Sequence, residues 1–164
     1  MLCRLVRLWR LTLKQLSKSE ILALNKEILD SFNSADFFSK KDKVVQTTYE
    51  DFDVIEKDKA RLFFYVENRL VPTLKLLLDT QLLKKITVDM GAIKFVTNGA
   101  DIMRPGVTKI DEGIRKGEFV VVVDETHGKP LAVCESLYSS EELDSIDSGK
   151  VLKNIHYIGD KLWN

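Results

Sequence analysis

Between Gly99 and Lys109 the chain reads Gly-Ala-Asp-Ile-Met-Arg-Pro-Gly-Val-Thr-Lys, residue types that together can recognise a phosphate or a nucleobase. Gly99 and Gly106 carry no side chain, so the backbone there can come close to a phosphate or a base edge. Pro105 fixes the local path, and amides freed at a helix end and turn are phosphate donors. Arg104 offers a planar fork for phosphate or a guanine edge, or a face on which a base stacks. Met103 can lie against a base, Lys109 extends the positive side, and Lys94 projects from the adjoining helix. The same residues admit plainer roles, as turn glycines and, for Met103, as a core or loop anchor. From the residues alone both readings stay open.

These side chains need a scaffold, and the flanking sequence supplies one. A strand through Ile86 and Val88 stops at Asp89, which reads as the N-cap of a short helix from Gly91 to about Asn98. Ile93, Val96 and Phe95 are expected to point inward. Asn98-Gly99 ends the helix, with glycine at the left-handed C′ position. Phe119–Asp124 is a continuous apolar run with the signature of a buried strand. Strands Leu131–Tyr138 and Val151–Ile158 follow, with Ser139-Ser140-Glu141-Glu142 capping a helical turn between them. Five or six short strands and one or two short helices predict a small, mostly antiparallel barrel.

The first half has a different rhythm. Ser17-Lys18-Ser19-Glu20 has the form of a capping box, and Ile21, Leu24, Ile28, Leu29 and Phe32 give an amphipathic helix over residues 18–33. Strands are expected at Val44–Thr48, Phe52–Glu56 and Arg61–Val66. Pro72 suits the first turn of a helix whose apolar face is Leu74, Leu77, Leu78 and Leu82. No Gly-, Pro- or Ser-rich linker divides the halves, so close packing is expected. At the start of the chain, Leu5, Leu11 and Leu13 alternate as in a strand or ordered arm. Arg4, Arg7 and Arg10 leave an RNA-contacting arm or a membrane-surface helix as alternatives.

Composition narrows the function. With 45% apolar and 30% charged residues the 164-residue chain is globular in profile. Cys3 and Cys134 have no ligand spacing, pointing to a reduced, cytoplasmic setting without metal or cofactor. No apolar run approaches the roughly 20 residues that span a bilayer, so no membrane partner is expected. Net charge is zero, yet residues 1–86 hold 16 Lys+Arg against 12 Asp+Glu, and residues 87–164 hold 9 against 13. A general basic surface is therefore excluded for the second half, and any RNA affinity must be local. His127 and His156 lack triad partners, and the nucleotide-loop and zinc motifs are missing. An enzyme is not expected.

The stretch Val88–Val107, the run Phe119–Asp124, the turn at Gly128 and the ending His156-Tyr157-Ile158-Gly159-Asp160-Lys161-Leu162-Trp163 together resemble the PUA domain, named for pseudouridine synthases and archaeosine transglycosylases. Leu70-Val71-Pro72-Thr73-Leu74-Lys75 and Ser39-Lys40-Lys41-Asp42-Lys43-Val44 are similar to the pre-PUA module of one subgroup. That subgroup is the malignant-T-cell-amplified-sequence family and its short archaeal relatives. The resemblance implies an α+β domain over residues 1–84 followed by a small β-barrel-like PUA domain over 85–164. It also implies a non-catalytic, monomeric RNA-binding protein acting on tRNA and/or the small ribosomal subunit in translation initiation, re-initiation or recycling.

In PUA relatives RNA lies along the helix–loop–strand unit and the final strand. That places Lys94, Gly99, Ala100, Asp101, Met103, Arg104, Pro105, Gly106, Val107 and Lys109 at the interface, with Tyr157 and Lys161 beside them. Relatives commonly have Gly at the position of Cys134, whose thiol is expected to narrow a groove there. Leu162 and Trp163 are expected to close the barrel. Two other functions fit the residues: an RNA-targeting module for a separate tRNA or rRNA modification enzyme, and a protein-interaction scaffold suggested by the acidic second half.

Overall fold

The computed structural model describes residues 13–164. The arm reading on Leu5 and Leu11 lies outside them; Leu13, its last member, is exposed.

Helix α1 (Lys18–Phe32) starts where its cap predicts, with the Ser17 hydroxyl accepting the Glu20 N–H at 3.2 Å. The Glu20 carboxylate bonds to the Ser17 hydroxyl and to Lys14 at 3.0 Å, so only half of the capping box forms. Ile21, Leu24 and Ile28 are buried, whereas Leu29 is exposed. At about 100° per residue Leu29 sits on the flank of the stripe set by the other three, beyond the reach of the sheet.

That sheet is an antiparallel meander in the order β1 (Lys14–Gln15), β2 (Val44–Tyr49), β3 (Phe52–Lys57), β4 (Ala60–Val66) and β5 (Arg69–Pro72). Its last two hairpins turn through Asp58-Lys59 and Glu67-Asn68, all four at positive φ. Such turns match the right-handed twist of the flanking strands. Strand β5 corrects the sequence expectation: Pro72 ends a strand and does not open a helix, which is acceptable at a strand terminus. Thr73 then caps the four-residue α2 (Leu74–Leu77), and Leu78, past its end, faces solvent.

The second sheet has the order β7 (Ile102–Met103), β11 (Lys150–Tyr157), β10 (Pro130–Ser136), β9 (Phe119–Asp124), β6 (Lys85–Val88) and β8 (Val107–Ile110). All its pairs are antiparallel except β6 with β9. The unbroken apolar run in β9 has a simple cause: both faces are covered. Val120 and Val122 enter the core of this half with Ile86, Ile102, Cys134 and Leu152. Phe119, Val121 and Val123 face the other way, against Val54, Phe64, Val71, Leu74 and Leu77 of the first half. The halves thus share a core, as the missing linker implied. Leu162 also lies in that shared core, so it seals the joint between halves and does not close the barrel.

Candidate nucleic-acid interface

Asp89 caps its helix as read, its carboxylate accepting the Ala92 N–H at 2.9 Å. One 3-10 turn (Met90–Ala92) leads into α3 (Ile93–Val96). Val96 is buried and Ile93 packs on the core, but Phe95 is 57% exposed. On a helix that turns Ile93 and Val96 inward, the residue between them at about 200° from Ile93 must point outward. Phe95, expected inward for its apolar character, instead faces solvent. Lys94 is also exposed, its ammonium 5.0 Å from the centre of the Phe95 ring.

The helix closes with a Schellman arrangement: Ala100 N–H donates to Phe95 O at 3.0 Å and Gly99 N–H to Val96 O at 3.0 Å. Gly99 has φ +87°, and a Cβ there would lie 2.8 Å from the Tyr157 ring. Two constraints therefore select glycine, and neither involves a ligand. The closure also corrects the expectation of free amides, because Thr97, Asn98, Gly99, Ala100 and Arg104 all donate internally.

The rest of the loop is tied to β11 and α4 (Ser140–Ser145). Asp101 accepts the Asn154 N–H at 2.8 Å and the Lys150 ammonium at 3.3 Å. Asn154 donates its side-chain amide to Val96 O and Ala100 O. The Arg104 guanidinium is turned inward, Nε donating to Leu143 O at 2.9 Å and a terminal nitrogen to Val107 O at 3.0 Å. Its expected outward fork is thus largely spent on carbonyls that the loop and helix leave open. Val107 is a core residue and its side chain cannot reach a ligand. Pro105 is exposed on the outer turn, and Gly106 O accepts the Asp89 N–H.

Lys109 and Lys161 do not join this cluster. Lys109 lines a groove between the halves, and Lys161 pairs with Glu50 of the first half at 3.3 Å. Cys134 is fully buried in the core, where desolvation pushes its thiol up, so it narrows no surface groove. Lys94, Phe95, Ala100, Met103 and Pro105 remain exposed along α3 and its loop, with Tyr157 half-buried behind Gly99; Met90, on the turn before α3, is also exposed, its sulfur accepting the Thr126 hydroxyl. Met103 is 52% exposed and sits opposite Lys150 on the β7–β11 pair. Met90 and Phe95 are the contributors that sequence reasoning missed. The facing of α3 was the available signal.

The histidines have separate structural settings. His127 is exposed in the β9–β10 turn, where three backbone N–H groups bond to Asp124. The His127 N–H foremost, against burial, holds that carboxyl below the usual range. His156 is fully buried. Among the described residues no three His, Cys, Asp or Glu side chains are grouped to hold a metal, and no helix is long and apolar enough to cross a membrane.

The PUA domain family matches residues 84–158. Malignant T-cell-amplified sequence 1 of Danio rerio is 33% identical over 161 residues, covering 92% of this chain and 89% of that protein. The chain belongs to this PUA-domain family. An uncharacterized protein of Methanocaldococcus jannaschii is 42% identical over 151 residues, covering 91% and 93% of the two chains. Translation machinery-associated protein 20 of Saccharomyces cerevisiae is 36% identical over 133 residues, 76% of this chain and 74% of its own. A hypothetical protein of Pyrococcus horikoshii has the same two-part fold at TM-score 0.80 and 29% identity, over 92% of this chain and 97% of that one. Both the α+β half and the PUA half of this family member are therefore present as read.

Proposed function

We propose that this PUA protein binds structured RNA of the translation machinery, tRNA and/or small-subunit rRNA, through the α3–loop surface, without catalysis and in the cytoplasm. The observation that carries the reading is the exposed Phe95 ring with the Lys94 ammonium beside it, on the helix that leads into the loop exposing Met103. An exposed aromatic with a cation at its ring, next to a loop that exposes a thioether, offers the mixed apolar and positive surface that RNA-binding sites use. Unstacked bases lie on such surfaces, and a neighbouring cation adds attraction to phosphate. The named relatives support the setting: one carries translation machinery in its name and both span most of this chain. The loop's hydrogen bonds to β11 make the surface rigid before binding, which lowers the ordering cost.

The test is copurification of the full chain with small ribosomal subunits at moderate salt, beside direct binding to bulk tRNA. Phe95→Ala should weaken both while leaving the fold intact. Equal binding by Phe95→Ala and wild type would remove the surface from the reading. No binding to either RNA would remove the function.

A further inference from the structure

We propose that the groove between the two halves is a second RNA site, a phosphate track that takes the strand running on from the α3–loop surface. The proposal rests on RNA binding by the PUA half and adds a separate site to it. The groove has a volume of about 1190 Å³ and runs between the end of α1, the β4–β5 turn and the loop after β8.

Its PUA wall gathers Lys85, Lys109, Arg115 and Lys116, all exposed and none in an ion pair with a carboxylate among the described residues. Lys109 lies opposite Thr87, so it is the diagonal cross-strand neighbour of Lys85 on the outer face of β6 and β8. The carboxylates on the same wall are already engaged. Glu118 holds Lys84 at 2.7 Å and accepts the Arg115 N–H at 2.8 Å, and Asp111 accepts the Lys85 N–H at 2.8 Å.

This concentration is notable in a half that is acidic as a whole. Its excess negative charge collects elsewhere, at Glu141, Glu142, Asp144 and Asp147 on and just after α4. The opposite groove wall carries Glu27 and Asp30 of α1. A polyanion is thereby repelled from α1 and pressed onto the lysines, which selects a backbone lying along one wall. Strand β8 links the two regions along the chain: it begins directly after Gly106 and brings Lys109 to the groove three residues on.

Each phosphate neutralised by a cation steepens the salt dependence of binding by about 0.7–0.9 in log–log slope. The full chain and its Lys85→Gln/Arg115→Gln/Lys116→Gln variant are titrated with bulk tRNA and with naked small-subunit rRNA across a salt series. The variant should lose roughly 2 units of slope on at least one RNA, while Phe95→Ala loses affinity with its slope unchanged. A folded groove variant that keeps wild-type slope and affinity on both RNAs overturns the track and leaves the α3–loop reading standing. If that variant keeps both RNAs but loses intact small subunits, the groove takes an acidic protein and the RNA assignment falls. Wild type that binds neither RNA overturns both readings.

Discussion

His156 accepts the backbone N–H of Leu74 through Nε2 at 3.1 Å, a buried bond that joins the last strand of the PUA half to the capped turn of the first half. An amide can only donate, so Nε2 is the bare ring nitrogen, and Nδ1 carries the proton that Asp160 accepts at 2.7 Å. The ring also lies edge-on to Phe64 at 5.5 Å, inside the shared core. A histidine that the sequence offered as merely non-catalytic thus fixes the relative placement of the halves.

Replacing His156 with Ala should therefore destabilise the whole chain, not one half. It leaves the buried Leu74 N–H without its acceptor, takes one of three hydrogen bonds from the part-buried Asp160 carboxylate and opens a cavity. The expected loss is about 3 kcal/mol in urea unfolding. Two separate transitions in place of one would show that the halves had uncoupled.

Acid should act at the same place. Burial pushes the Asp160 carboxyl up, but hydrogen bonds from His156, Tyr157 N–H and Trp163 N–H outweigh it and hold the group below the ordinary range. A depressed carboxyl contributes stability above its unfolded pKa of about 3.9. That contribution disappears as pH falls through the lower folded value, since the unfolded chain then binds more protons. Asp160→Asn should lower the urea midpoint at neutral pH and flatten its decline below about pH 4.

Gly99→Ala should lose roughly 1–3 kcal/mol, from the left-handed backbone and the 2.8 Å approach to Tyr157. Adding Tyr157→Ala removes the clash but not the backbone strain. The double variant should therefore lose less than the sum of the singles in a thermal-unfolding cycle. Strict additivity would mean that the ring moves aside freely.

Arg104→Ala is expected to show in stability before it shows in RNA affinity, because its bonds to Leu143 O and Val107 O hold the loop against α4 and β8. The loss should be about 1–3 kcal/mol. Arg104→Lys should not restore it, since an ammonium cannot span both carbonyls as a planar fork does.

Phe95→Ala removes an exposed ring and should change stability by under about 0.5 kcal/mol. Loss of one stacked base predicts a drop of roughly tenfold in tRNA affinity. Fluorescence anisotropy on bulk tRNA reads the second effect, and a thermal melt the first.

What the sequence determined by itself is the local grammar. Ser17, Asp89 and Ser139 cap the helices they precede, Gly99 closes α3, and the Val88–Val107 wording declares the PUA half. These features depend on residues within a few positions of one another, so spacing along the chain is enough to read them. Lys94 and Met103 were legible as surface candidates on the same basis.

Tertiary structure decided everything that depends on what lies opposite. It turned Val107 in, drew Arg104 to a carbonyl 39 positions away, and sent Lys109 and Lys161 to other surfaces. It also gave the apolar run of β9 two cores to serve. Periodicity reports which residues share a face, but only the packed partner fixes whether that face meets protein or water.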